Sequence, residues 1–132
     1  MAYRTEYLMD PIVQFYRGTR DRFPDILAET DKVHLQTWEV ADEYAYMWFH
    51  SLADMLNEHM RRGTRLDSAG SIFDYMRDRF MTGCGEVRNC IDVSFVENLF
   101  WRVSPGHAHM YWTRMPDVLK KLYLGFHSKP PC

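Results

Sequence analysis

Two histidines two residues apart, His107 and His109, are the first residues whose types and spacing suggest chemistry. In an extended segment such a pair faces one side of the chain, which is how a metal site begins. A hydrolytic zinc centre needs three protein ligands and an open position. No HExxH or Cys/His spacing supplies the third, and His50 is the remaining candidate. Glu43 and His50 lie seven residues apart on one helical face, but the Glu-x-x-His of carboxylate-bridged di-iron bundles is absent. As a general base, His107 or His109 would work beside Tyr111 or Arg114, without a pattern to single either out. Cys84 sits between Gly83 and Gly85 with no matching base, so a helix-ending turn is the better reading. No phosphate-cradling glycine loop occurs. The expectation is therefore no catalytic set, no metal and no cofactor. A small metal-dependent hydrolase using His107 and His109 is kept as the alternative.

Charge and aromatic residues carry a stronger signal. Between Pro24 and Glu43 stand Asp25, Glu29, Asp31, Glu39, Asp42 and Glu43 against Lys32 alone. That stretch is −5 in a chain of −2, leaving +3 elsewhere. Such a surface attracts cationic partners and repels nucleic-acid phosphates. Tyr44, Tyr46, Trp48 and Phe49 crowd one helix and cannot all share a face. Tyr44 and Tyr46 are the expected anchors of a protein interface, where Tyr, Trp and Arg concentrate. Arg61, Arg62, Arg65, Arg77 and Arg79 are interrupted by Asp67, Asp74 and Asp78, and read as helix ends and solvated charges.

The elements that must position these residues are helical. Asp10 as N-cap and Pro11 in the first turn open a short helix that Gly18 ends. Pro24 opens a second through Glu29. Apolar residues at Trp38, Ala41, Ala45, Trp48, Leu52, Met55, Leu56 and Met60 predict a long helix over Thr37–Arg62. Thr37 would cap it, Glu39, Asp42 and Glu43 would sit at its positive end, and Gly63 would stop it. A helix from Asp67 or Ser68 breaks near Gly83, and another runs from Glu86 to about Trp101. Ile91–Val96 alternates like a strand, but one strand has no partner. Ser104–Gly106 reads as a turn with an unreadable segment to Arg114. A last helix starts at Pro116 and ends at Gly125, before a tail that frays from about residue 127. The fold class is all-α: an irregular single-domain bundle of about five to six helices over residues 1–132.

Twenty aromatic rings among 132 residues exclude a disordered chain. No apolar run of about 18 residues would span a membrane, and Met1–Asp10 lacks the order of a secretory leader. Cys84, Cys90 and Cys132 fit free thiols in a reducing cytoplasm better than disulfides. From Phe95, the run Phe-Val-Glu-Asn-Leu-Phe-Trp followed by Met115-Pro-Asp-Val-Leu-Lys-Lys-Leu-Tyr resembles small helical bacterial immunity proteins. These are the partners of polymorphic and contact-dependent growth-inhibition toxins. The resemblance implies a cytoplasmic, non-enzymatic protein that binds a cognate toxin domain, a nuclease (RNase or DNase), and blocks its active site or substrate path. It carries no functional residue over. A helical adaptor subunit is the remaining alternative.

Overall fold

Asp10 and Pro11 open the first helix as expected: the Asp10 carboxylate accepts from the Ile12 amide at 2.7 Å, and Pro11 fills a position that needs no donor. The computed structural model describes residues 10–132, so the reading of Met1–Met9 as lacking a leader lies outside the described residues. Seven α-helices follow one another among the described residues, and no strand occurs there. We number them α1 (Pro11–Arg22), α2 (Pro24–His34), α3 (Ala45–Arg62), α4 (Leu66–Thr82), α5 (Gly85–Asn89), α6 (Pro105–Trp112) and α7 (Asp117–His127). The expected all-α class holds, with more helices than the five or six anticipated.

α3 is the hub. Trp48, Phe49, Leu52, Met55, Leu56 and Met60 are buried along it, and α1, α2, α6 and the segment after α5 pack around it. Phe15 of α1 stacks on Phe49 with centroids 4.3 Å apart, and Tyr16 meets Trp48 edge-on at 5.6 Å. Gly63 ends α3 at φ 69°, a left-handed conformation that glycine adopts without a Cβ penalty. One contiguous apolar core results, continuing through Ile72, Phe73 and Met76 of α4 to Leu119 and Tyr123 of α7.

Five expected boundaries are corrected. Gly18 does not end α1, which continues to Arg22, and α2 passes Glu29 to His34. Thr37 caps nothing: residues 35–41 are non-helical, Ala41 is extended, and α3 begins only at Ala45 after a 3₁₀ turn at Asp42–Tyr44. The helix expected to reach Trp101 widens to a π-helical turn over Cys90–Phe95, tightens to 3₁₀ over Val96–Asn98, and stops. The unreadable segment is α6, whose Ser104 hydroxyl accepts from the His107 amide above Pro105. Gly125 lies inside α7. The tail beyond His127 is irregular, yet Cys132 Sγ comes back to 3.9 Å from His109 Nδ1.

Candidate functional site

The structure divides the eight residues chosen as partner contacts. Glu29 is spent inside the fold: His59 Nε2 donates to it at 2.5 Å and Arg65 at 2.6 Å, and the His59 bond holds its carboxyl below the usual range. Asp31 accepts from Arg20 and, at 2.8 Å, from the Trp48 indole. Asp42 is paired with Arg17, which lowers its carboxyl too. Tyr46 packs against the π-helical turn; the Asn89 amide donates to its hydroxyl at 3.3 Å and Ser94 Oγ to its carbonyl at 2.7 Å. Asp25, Glu39 and Glu43 are exposed and make no ion pair among the described residues. Tyr44 is half-buried, with its ring 5.3 Å from that of Trp38.

Glu39, Glu43 and that ring pair meet in the connection between α2 and α3, while Asp25 stands in the first turn of α2, at its other end. Leu35 is 61% exposed there, and Trp38 is exposed beside Tyr44. Two ties hold the connection in its non-helical path. Arg17 grips Asp42 from α1, and buried His34 donates from Nε2 to the Glu39 carbonyl at 2.9 Å. Since a carbonyl only accepts, Nε2 carries the proton, and Nδ1 then accepts from Ser51 Oγ at 2.9 Å.

Burial holds the His34 imidazole below its usual pKa. The unfolded chain therefore takes up a proton before the folded one does. His34 contributes its full share above the ordinary histidine value of about 6.5, and that share declines as pH falls toward the lower folded value. Urea unfolding at pH 7.5 and 5.5 tests this. Wild type should lose more stability on acidification than His34→Gln. Equal losses would place the acid sensitivity elsewhere.

The histidine pair does not converge. His107 and His109 lie on α6, roughly 200° apart around its axis. His107 Nδ1 donates to the Arg61 carbonyl at 2.9 Å, whereas His109 faces Cys132. His50 belongs to α3, 3.6 Å from Asp54. Among the described residues no three His, Cys, Asp or Glu side chains are grouped to hold a metal ion. Thr64, His59 and Glu29 have the order of hydroxyl, base and orienting carboxylate. Yet Arg65 takes the second Glu29 oxygen, the Thr64 amide donates to the His59 carbonyl, and Tyr111 Oη donates to the Thr64 carbonyl at 2.5 Å. We read the trio as the clamp that closes α3. Cys90 is buried, which pushes its thiol up to about 12, the opposite of an activated nucleophile.

A second feature had no counterpart in the sequence reading. A cleft of about 700 Å³ opens between His50 and Asp54 of α3, the segment Glu97–Arg102, and the end of α7. Its wall is built against local preference. Asn98 turns its amide back onto the Ser94 carbonyl at 2.8 Å, ending the helix, and Phe100 and Arg102 then take φ of 68° and 56°. Left-handed backbone is unfavourable for residues with a Cβ, most of all a bulky one. Buried Asn57 holds it: its amide donates to the Asn98 carbonyl at 2.8 Å, and its oxygen accepts from the Phe100 amide at 2.7 Å. Phe100 packs edge-on to Trp112 and Tyr123. Burial raises the Asp54 and Glu97 carboxyls above their usual range. π-helical turns and strained backbone concentrate at functional sites, and the signal legible in advance was the mid-helix asparagine at position 57.

No curated protein and no solved structure matches the chain. A family model described as a domain of unknown function, DUF7674, matches residues 18–129. That span covers both candidate surfaces and six of the seven helices completely, and the chain belongs to the DUF7674 family.

Proposed function

We propose that this chain is a cytoplasmic, non-enzymatic immunity protein that neutralises a cognate toxin domain by stoichiometric binding. The observation that carries the binding surface is the α2–α3 connection, where Trp38, Tyr44 and exposed Leu35 stand beside Glu39 and Glu43. Aromatic anchors ringed by uncompensated acid suit a cationic partner. A nuclease presents such a face, because its substrate is a polyanion. The toxin itself enters through the resemblance of residues 95–101 and 115–123 to immunity proteins. Glu29, Asp31 and Asp42 act in this reading as the frame that sets the connection's path, and Asp25, Glu39 and Glu43 as the steering charge.

No helix among the described residues is long and apolar enough to cross a membrane, which is compatible with action in the cytoplasm.

Growth rescue is the test. A toxin domain captured from the host with the tagged chain is expressed alone and together with it. Rescue with a 1:1 complex supports immunity, and growth arrest in both cases removes it. In the complex, Glu39→Lys with Glu43→Lys should slow association about three- to tenfold at low salt and flatten its salt dependence. Unchanged kinetics would take this surface out of the mechanism while leaving rescue to be explained by another face.

A further inference from the structure

We infer that the cleft between α3, the 97–102 segment and α7 binds an organic cation, a guanidinium or ammonium group entering past Trp101 and Phe126 toward Asp54 and Glu97. The site is separate from the α2–α3 connection, and the inference does not rest on the immunity reading.

The charge of the cleft selects the class. Asp54 and Glu97 reach it from different elements, and neither forms an ion pair with Lys or Arg among the described residues. The nearest permanent cations, Arg61 and the cleft-lining Arg102, are both engaged at Trp101 and not with the carboxylates. Arg61 donates to the Trp101 carbonyl at 2.8 Å, and Arg102 lies over the Trp101 ring with Cζ 5.4 Å from its centroid. His50, 3.6 Å from Asp54, is the nearest partner that carboxylate has. An anion would meet both carboxylates, and a neutral apolar ligand would strip their remaining water without replacing it. A guest cation supplies the partner that Asp54 and Glu97 do not have from Lys or Arg. The raised carboxyls agree: burial outweighs Arg61 and His50 at Asp54 and His127 at Glu97.

The rings fit the same guest. Trp101 is 61% and Phe126 59% exposed at the mouth, a large apolar outlay for a surface with no function. Cations sit favourably over aromatic faces, best over Trp, and Arg102 already demonstrates that geometry on Trp101. The walls are fixed in advance by the Asn57 clamp, so little ordering opposes binding.

The experiment titrates the ¹⁵N-labelled full chain with N-acetyl-arginine methylamide and, separately, its uncharged citrulline analogue. The Trp101 indole and the amides of residues 97–102 should shift saturably with arginine, with Kd on the order of 1 mM, and not with citrulline. Asp54→Asn with Glu97→Gln keeps the shape and removes the two carboxylate charges, both on half-buried side chains, so it should fold and weaken binding at least about tenfold. No saturable shift, equal affinity for citrulline, or unchanged binding by the double variant would each overturn the site. An arginine-bearing tripeptide separates the sources, each supporting the site: tighter binding points to a side chain on a polypeptide, equal binding to a free cation.

Discussion

Asn57→Ala should lower stability by about 3–4 kcal/mol, the sum of two backbone groups left without partners at roughly 1–3 kcal/mol each. The Asn98 carbonyl, half-buried, loses its donor, and the buried Phe100 amide loses its acceptor. The backbone they belong to is already unfavourable, with Phe100 and Arg102 in the left-handed region, so it should relax once released. For a domain of this length the loss corresponds to a fall in Tm of roughly 10–15 °C. Urea unfolding measures the energy, and hydrogen exchange at residues 97–102 locates it. Protection there should drop before the rest of the core responds. A change under about 1 kcal/mol, with exchange unaltered, would mean that water replaces the amide and that the cleft wall is not held by Asn57.

The same segment shows what the sequence made legible. Gly63 after Arg61 and Arg62 marked the end of α3, because a left-handed cap followed by a stop is a local event. The start of α3 was misread for the opposite reason. Trp38, Ala41 and Ala45 fall at helical spacing, but His34 from α2 and Arg17 from α1 fix the Glu39–Asp42 path by contacts that no window of sequence contains. α6 hid because its helical signal lies in Ser104 and Pro105, its cap and first residue, more than in any apolar stripe. Half of the acidic bet was consumed likewise: Glu29, Asp31 and Asp42 find cations 11 to 36 residues away in the chain. The cleft was the least legible feature, since residues near 50, 100 and 125 must meet before it exists.

Trp48→Ala should cost more than the Asn57 change, about 4–5 kcal/mol. Trp48 is fully buried, edge-on to Tyr16 at 5.6 Å and to Phe49 at 5.4 Å, so truncation opens a cavity where three rings meet. It also removes the indole donor from Asp31, leaving that carboxylate to Arg20 alone, whose guanidinium lies 5.7 Å from the Trp48 centroid. With domains commonly stable by only 5–15 kcal/mol, the variant should sit near the edge of folding. Trp48→Phe separates the two causes. It keeps much of the ring area and loses the hydrogen bond, so it should cost about 1–3 kcal/mol. If Trp48→Phe were as damaging as Trp48→Ala, the indole–Asp31 bond would dominate, and Asp31 would be a structural acid first. If it were neutral, Asp31 would be free to serve the surface with Glu39 and Glu43. The intermediate value expected makes the tryptophan one of the points where the acidic stretch of net −5 is tied to α3, beside Glu29–His59, His34–Ser51 and the buried Ile26.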